Sequence, residues 1–211
     1  MAEAACTLHS AYRIHEPEQQ SLCFKGKIIM KVYTIGHYNH SIEQFLKLLG
    51  AAEIYFVADV RAFPASRRNS HFKKENMAQW LKEAGIHYRH FPGLGGRRRM
   101  SGQVGEQLNE GWNNRSFHNY ADYTLTDDFQ YALEQLKEQA AETTLVYMCS
   151  EYHPARCHRL LISNWLKANG WDVHHLIPDA KGNPKIIPHE LGKWGAMPII
   201  EEDGTVVYPK L

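Results

Sequence analysis

The sequence predicts an α/β protein: a three-layer sandwich with a mostly parallel, Rossmann-like central sheet of about five strands. Three observations lead to this prediction. Short apolar segments that suit buried strands alternate along the chain with amphipathic segments at helical spacing. Glycine and polar residues follow directly after the apolar segments, as at the ligand-binding edge of a parallel sheet. The length of 211 residues is sufficient for one such domain with a sizeable core.

Five segments are predicted strands because they are short, apolar and bounded by turn residues. They are residues 32–35, 54–58, 86–91, 144–148 and 173–177. Four further segments carry the apolar stripe of a helix. These helices begin near Ile42, near Lys74, after a cap at Asp127 or Asp128, and near Arg156, and the last continues to Asn169. Ser41 and Gln44 have the spacing of a capping box, and Gly85 is the stop signal of the second helix.

The predicted domain occupies residues 30–178. Residues 1–29 are polar and aperiodic, so we expect a poorly ordered N-terminal extension, with Met30 as a candidate translation start. An ordered arm that packs on the domain is the alternative. Residues 179–211 contain four prolines, so we expect a loop-rich C-terminal extension with a candidate hairpin at Gly204.

Composition excludes several classes of protein. No apolar run approaches the roughly 20 residues needed to cross a bilayer, and the N-terminus lacks the apolar core of a secretory signal. Four cysteines are too few for a disulfide scaffold at this length. We therefore expect a cytoplasmic protein with reduced thiols and no membrane partner.

Basic residues are unevenly distributed along a chain whose net charge is only +1. Residues 61–99 contain seven Arg and three Lys against two Glu, a net charge of +8. Such an excess favours an anionic partner, either a small molecule or a nucleic acid. A solvated basic face, compensated by acidic neighbours elsewhere in the fold, explains the same pattern.

The residues best suited to chemistry all follow predicted strands. In chain order these strand-end pairs are Gly36 and His37, Asp59 and Arg61, Gly95 and Gly96, and Cys149 and Glu151. A parallel sheet binds its ligands beyond the carboxyl ends of the strands. We therefore expect these side chains to gather at one edge of the sheet.

Residues 149–159, with the sequence CSEYHPARCHR, are the most informative of these segments. Cys149 follows an apolar strand and precedes a helix, whose N-terminus and basic neighbours would lower the pKa of its thiol. Cys149 is therefore the predicted nucleophile, with Glu151, His158 or His37 as the group that moves a proton. A buried, inert cysteine is the alternative.

Further residues are predicted to hold the substrate, because guanidinium groups and glycine amides suit a phosphate and tyrosines suit a pocket wall. This predicted set comprises Gly36, Asp59, Arg61, Arg67, Arg68, Gly95, Gly96, Tyr120, Tyr123, Cys157 and Arg159. Structural alternatives exist for each kind. Asp59 and Arg61 also suit an ion pair that fixes a loop, the glycines a solvent loop, and one of the two tyrosines packing in an ordered loop.

Several motifs together resemble a known family. They are residues 34–41 (TIGHYNHS), 59–69 (DVRAFPASRRN), 117–123 (FHNYADY) and 149–159. In this order they are similar to the family called domain of unknown function 488, over roughly residues 31 to 177. The resemblance implies a compact α/β fold and marks the motif residues as the site of the family. The name of the family concedes that no activity is settled, so the resemblance implies no reaction.

Two other chemistries suit the same thiols. Cys149, Cys157 and His158, with His153 as a further candidate, have the side-chain types of a zinc site, although their spacing matches no paired Cys-x-x-Cys pattern. The two cysteines also suit a reversible disulfide or a sulfur relay. The order of strand-end motifs looks somewhat like a rhodanese-type sulfurtransferase, but the loop here is longer, contains Pro154 and has no glycine.

The sequence therefore favours a small enzyme that acts on a phosphate-bearing substrate, a nucleotide or a nucleic acid, by hydrolysis or group transfer. We expect no cofactor, with zinc at the two cysteines and His158 as the alternative. A nucleotide-binding or nucleic-acid-binding module without turnover is the main competing function, and sulfur transfer or thiol redox chemistry is a third.

Overall fold

The structure of the protein, a computed structural model, describes residues 22–24, 27–66, 68–102 and 104–210. Arg67 and residues 1–21 therefore lie outside the described residues, and the prediction for the N-terminal extension stays a prediction. The strands are β1 (Leu22–Phe24), β2 (Lys27–Ile29), β3 (Lys31–Gly36), β4 (Phe56–Asp59), β5 (His87–His90), β6 (Leu145–Cys149), β7 (Asp172–Pro178), β8 (Pro184–Pro188), β9 (Ile199–Ile200) and β10 (Val206–Val207). The helices are α1 (Ile42–Gly50), α2 (Lys74–Glu83), α3 (Arg115–Thr124), α4 (Asp127–Glu142) and α5 (Arg159–Ala168).

Six strands form the central sheet, in the order β5-β4-β6-β3-β7-β8. The first five are parallel to their neighbours, and β8 is antiparallel to β7. This mostly parallel sheet confirms the predicted α/β class. Two short antiparallel pairs lie outside it, β1 with β2 and β9 with β10.

Helices cover both faces of the sheet, which gives the three layers. Apolar side chains of α1 and α2, such as Phe45 and Met77, pack with Val57 and Val146 on one face. Those of α3, α4 and α5 pack on the other face around Tyr147. Neighbouring residues of a strand point to opposite faces, so Val146 and Tyr147 belong to different halves of the core. No helix within the described ranges has both the length and the apolar character needed to span a membrane.

Strand β8 lies at the start of the segment after Pro178, where the sequence predicts a loop-rich extension with a candidate hairpin at Gly204. It pairs with β7 over five residues, with Pro184 opposite Pro178 and Pro188 opposite His174. Proline lacks an amide proton and is therefore usually confined to the edge of a sheet. Here β8 is the edge strand and its prolines occupy the two ends, so the proline content does not prevent strand formation.

Three helix predictions also need correction. Tyr120 and Tyr123 lie in α3 rather than in an ordered loop, because Asn114 caps that helix with its side-chain oxygen. Thr126, not an aspartate, caps α4 and accepts a hydrogen bond from the amide of Phe129 at 3.4 Å. The last helix begins at Arg159, because Pro154 starts a separate 3₁₀ turn over Pro154–Arg156.

Candidate functional site

The carboxyl ends of β3, β4 and β6 meet at one edge of the sheet, as predicted. Gly36 at the end of β3 lies in register with Cys149 at the end of β6, and Asp59 at the end of β4 lies in register with Met148. A cavity of about 410 Å³ opens at this edge. Its lining includes eight predicted site residues: His37, Arg61, Gly96, Tyr120, Cys149, Glu151, Cys157 and His158.

Cys149, Cys157 and His158 form a compact cluster in the wall of this cavity. Nδ1 of His158 lies 3.9 Å from the sulfur of Cys149 and 3.7 Å from the sulfur of Cys157. The three atoms lie within 4.8 Å of one another. The loop between β6 and α5 turns back through its 3₁₀ turn, and so brings together two cysteines that are eight positions apart.

A backbone carbonyl fixes the proton of His158. Nε2 of this ring lies 2.9 Å from the carbonyl oxygen of Val60. A carbonyl oxygen only accepts, so Nε2 carries the ring proton in the neutral imidazole and Nδ1 presents its lone pair to the two thiols. The ring is therefore positioned to accept a proton from either sulfur.

Arg159 stabilises negative charge on the sulfur of Cys157. Its side chain is 1% exposed, and Nε donates to the sulfur of Cys157 at 3.3 Å. Burial alone would raise the pKa of the Cys157 thiol, but the hydrogen bond with Cys149 and the Arg159 guanidinium together lower it below the usual value. The hydrogen bond with Cys157 and burial raise the pKa of Cys149. Both sulfurs are free thiols in the structure, and the geometry favours a thiolate on Cys157 beside a protonated Cys149.

The remaining nitrogens of Arg159 hold the loop that carries the cysteines. Nη2 donates to the backbone carbonyl of Glu151 at 2.6 Å, and Nη1 donates to the hydroxyl of Thr34 at 3.1 Å. The guanidinium therefore contacts the backbone of Glu151 rather than its carboxylate. Arg159 is absent from the cavity lining, and it acts on the site by positioning the loop and the sulfur of Cys157.

Asp59 and Arg61 form a buried ion pair in which Arg61 lines the cavity. Nε and Nη2 of Arg61 donate to the two carboxylate oxygens of Asp59 at 2.8 and 2.6 Å. The phenol of Tyr88 donates to the same carboxylate at 2.6 Å. Nη1 of Arg61 donates to the carbonyl of Phe72 at 2.8 Å. The guanidinium thus already has protein partners, which agrees with the structural alternative for this pair.

His37 is held in one neutral form. Nδ1 donates to the carbonyl of Tyr38 at 2.9 Å, so Nε2 accepts from Arg61 at 3.3 Å. The ring stacks on Phe72 at 4.4 Å between centroids. Burial, together with the Arg61 guanidinium, lowers the pKa of His37 to about 4. These contacts make His37 a fixed part of the wall rather than a mobile proton carrier.

Two glycines allow the close approach of the loops that build the site. A Cβ atom on Gly36 would lie 1.8 Å from the carbonyl oxygen of Glu151, and one on Gly96 would lie 2.3 Å from Nδ1 of His158. Gly96 therefore allows the imidazole to reach the sulfurs. Gly95 lies against Ala62, and its amide already donates to the carbonyl of Pro92 at 3.0 Å. A phosphate cradle of glycine amides is not supported by these contacts.

Charged and aromatic side chains surround the mouth of the cavity. Glu151, Arg97 and Arg156 are exposed lining residues, and within the described part of the chain neither arginine forms an ion pair. Phe63 is 69% exposed and lies under the Arg97 guanidinium at 5.5 Å. This mouth suits a ligand with an anionic group and an apolar or aromatic part.

The predicted residues that remain to be placed are two tyrosines and two arginines. Of the two tyrosines, Tyr120 lines the cavity and donates to the carbonyl of Leu94 at 2.8 Å, whereas Tyr123 packs under Arg98. Arg68 is exposed and belongs to a neighbouring surface. Arg67 lies outside the described residues.

Nine lining residues were not among the predicted site residues, and the four with large side chains are Phe63, Arg97, Phe117 and Arg156. The position of Arg156 in the cysteine loop, and of Arg97 directly after Gly95 and Gly96, were signals in the sequence. Phe63 and Phe117 lie within the motifs at residues 59–69 and 117–123, but their side-chain type gave no reason to place them in the site, because their contact with the cavity depends on the tertiary structure.

A family model, Domain of unknown function DUF488, matches residues 41–166, which is more than half of the chain. The match covers the strand that ends at Cys149, the cysteine loop and most of α5. None of the curated proteins and none of the solved structures compared with the chain matches it.

Proposed function

The chain belongs to the DUF488 family, and we propose that it is a thiol-dependent enzyme that acts on a phosphate-bearing substrate in the cavity described above. The observation that carries this proposal is the placement of His158. Its Nδ1 atom faces two thiols at 3.7 and 3.9 Å, and its Nε2 proton is fixed on the Val60 carbonyl. A thiol, an imidazole and a third group that orients the imidazole are the parts of an activated nucleophile.

In the proposed reaction His158 takes the thiol proton of Cys157, and the thiolate attacks the phosphorus atom. A sulfur–phosphorus bond forms while the bond to the leaving oxygen breaks, and the proton on His158 passes to that oxygen. Water then cleaves the sulfur–phosphorus bond, and Glu151, an exposed residue of the cavity lining, accepts its proton. Arg159 supports the first step because its Nε proton is donated to the sulfur of Cys157.

Arg97 and Arg156 support an anionic substrate. Both guanidinium groups border the cavity, and no carboxylate of the described residues occupies either one. Arginine presents paired N–H donors that match the oxygens of a phosphate. The ring of Phe63 at the same mouth would stack on a base, which favours a nucleotide or a nucleic acid over inorganic phosphate.

A binding module without turnover is the second candidate, and the basic segment favours it. Exposed side chains of this segment include Arg68, Lys73, Lys74, Arg97 and Arg99. Two of its other arginines have structural roles, since Arg61 pairs with Asp59 and Arg98 donates to the carbonyls of Gly93 and Gly95. The charge free to meet a nucleic acid is thus smaller than the sequence count implies.

Sulfur transfer of the rhodanese type receives less support. That chemistry uses a ring of backbone amides around the thiol. In this loop the amide of Ala155 donates to the His153 ring, that of Arg156 to the His153 carbonyl, and that of Cys157 to the Pro154 carbonyl. These three amides are therefore already occupied.

The two free thiols agree with a reducing compartment, and we also propose a cytoplasmic location.

The test uses chelator-treated protein and a panel of phosphate monoesters, diesters and nucleotides, with release of the leaving group as the readout. We expect turnover by the wild type and a loss of at least about a hundredfold in Cys157→Ser and in His158→Gln. Turnover that survives both substitutions would reject the thiol mechanism. Salt-dependent binding of oligonucleotides, without turnover by any variant, would instead establish the binding module.

A further inference from the structure

We propose that the sulfur atoms of Cys149 and Cys157 and Nδ1 of His158 form a binding site for a soft divalent metal ion, and that Zn²⁺ is the ion it fits best. The proposal concerns the metal alone and does not depend on any enzymatic activity. The expectation that Zn²⁺ inhibits the enzyme does rest on the proposed function, because the metal would occupy the sulfur that the reaction requires.

The distances agree with tetrahedral coordination. With Zn–S bonds of about 2.3 Å and a Zn–N bond of about 2.0 Å, a tetrahedral site separates sulfur from nitrogen by roughly 3.5 Å and sulfur from sulfur by roughly 3.8 Å. The observed sulfur–nitrogen distances are 3.7 and 3.9 Å, and all three atoms lie within 4.8 Å. Small rotations of the side chains would bring the three atoms to bonding distance of one ion.

The surroundings of the cluster are those of a built metal site. A histidine that binds a metal commonly donates its other ring proton to a carbonyl or carboxylate, and His158 donates to the carbonyl of Val60 at 2.9 Å. The Nε proton of Arg159, donated to the sulfur of Cys157 at 3.3 Å, orients and stabilises a thiolate ligand. Gly96 lies against the His158 ring, where a Cβ atom would come within 2.3 Å of Nδ1 and displace it.

The fourth coordination position faces the cavity. The three ligands all line the cavity, and the cluster of potential ligands found among the described residues contains no fourth member. Structural zinc sites are usually closed by four protein ligands, whereas sites with three keep a position for water or a small molecule. His153, the further candidate from the sequence, is not a member, because its Nδ1 accepts from the amide of Ala155 and its ring packs on Trp194.

Soft ligands decide which metal is expected. Two thiolates and an imidazole favour Zn²⁺ over Mg²⁺ or Ca²⁺, which require oxygen ligands. Metal binding and nucleophilic attack would use the same sulfur atoms. We therefore expect Zn²⁺ to inhibit the proposed reaction reversibly and to protect both cysteines from alkylation.

The experiment uses full-length protein that is stripped with a chelator, dialysed against buffered Zn²⁺ and analysed for metal content. We expect about one Zn²⁺ per wild-type chain, and a loss of that ion in Cys149→Ser, Cys157→Ser and His158→Gln. His87→Gln, which changes an exposed histidine at the start of the edge strand β5, should retain it. Circular dichroism and thermal unfolding of the metal-free variants check that the fold is intact, and Co²⁺ provides a spectroscopic readout of thiolate coordination.

Two results would overturn the metal site: wild-type protein that retains no Zn²⁺, or folded cysteine and His158 variants that retain as much as the wild type. The outcome is separable from that of the proposed function. Retention of Zn²⁺ without turnover in the metal-free protein would leave the metal site standing and reject the enzyme. Turnover without Zn²⁺ retention would support the enzyme and reject the metal site.

Discussion

Gly96 lies so close to His158 that a methyl group added to Gly96 would push the His158 ring away from the thiols of Cys149 and Cys157. A Cβ atom on Gly96 would lie 2.3 Å from Nδ1 and 2.7 Å from Cγ of His158. A carbon and a nitrogen atom that are not bonded cannot lie 2.3 Å apart, so the His158 ring would have to move. The imidazole position, and with it the proposed chemistry, therefore depends on a glycine that belongs to a different loop.

We predict that Gly96→Ala displaces His158 and lowers both the reactivity of the thiols and Zn²⁺ retention. Overpacking of this kind destabilises a protein by about 1–3 kcal/mol, so the fold should survive. Gly102→Ala is the matched control, since a Cβ there meets nothing within 4 Å, and it should change the free energy of unfolding by less than about 0.5 kcal/mol. Equal thiol reactivity in the two variants would contradict this role of Gly96.

The buried ion pair between Asp59 and Arg61 gives a second prediction. Asp59→Asn would leave a guanidinium that is only 4% exposed without its counter-charge. Breaking a buried pair in this way costs about 3–5 kcal/mol. Urea unfolding measures this loss. Glu134→Gln removes one partner of the more exposed Glu134–Lys137 pair and should cost less than about 1 kcal/mol. Similar losses in the two variants would show that the Asp59–Arg61 pair is not desolvated.

A histidine pair outside the site links the C-terminal segment to the sheet. Nε2 of His175 lies 3.0 Å from Nδ1 of His189, whose Nε2 donates to Asn164 at 2.9 Å. Burial and the nearby Lys167 lower the pKa of His189 to about 4 against an opposing effect of Glu190, and burial with the neighbouring His189 lowers the pKa of His175 to about 2. Both rings are therefore neutral in the folded protein at neutral pH.

We predict an acid-dependent loss of stability from this pair. In the unfolded chain histidine has a pKa of about 6.5. The unfolded state therefore binds more protons below that pH, and the stabilisation present above it is lost as the pH falls. Each buried histidine should contribute a slope of up to about 1.4 kcal/mol per pH unit between about pH 6 and its folded pKa.

Urea unfolding at several pH values measures that slope. His189→Gln should reduce the slope by about one proton, even though the variant is less stable at neutral pH. His87→Gln, at an exposed position, should leave the slope unchanged. A wild-type slope that does not change in His189→Gln would mean that His189 titrates normally in the folded state.

The two arginines at the cavity mouth predict where an anion binds. Arg156→Gln and Arg97→Gln should each weaken binding of inorganic phosphate or a nucleotide by about tenfold, the effect of losing one charged hydrogen bond. Isothermal titration calorimetry measures the change. Arg99→Gln is the control, because Arg99 is exposed on the same segment but does not line the cavity. An equal effect of all three substitutions would indicate diffuse charge rather than a defined site.

The position of the site could be predicted from the sequence because it follows from topology. Parallel strands end at one edge, so Gly36, Asp59 and Cys149 had to meet there once the strands were identified. The strand β8 could not be predicted, since proline content alone does not distinguish a loop from an edge strand. Helix α3 could not be predicted either, because its cap, Asn114, lies between glycine-rich and polar residues that are typical of a loop.

Roles within the site were harder to predict than its position. The sequence places Arg159 near both cysteines, but only the turn at Pro154 determines that its Nε donates to Cys157. This contact shifts the favoured thiolate from Cys149, the predicted nucleophile, to Cys157. Similarly, residues two apart on a strand point to the same face, so the spacing allows Arg61 to pair with Asp59, but it does not show that the pair is buried and closed by two hydrogen bonds.

The central claim, that Cys157 is a thiolate activated by His158 and Arg159, is tested most directly by peptide-resolved alkylation. Chelator-treated native protein is exposed to limiting iodoacetamide, and mass spectrometry follows Cys157 and Cys149 separately over time. We predict that Cys157 reacts at least about tenfold faster than Cys149, and that His158→Gln removes most of this difference. Faster labelling of Cys149, or equal rates at the two cysteines in the wild type, would contradict the account.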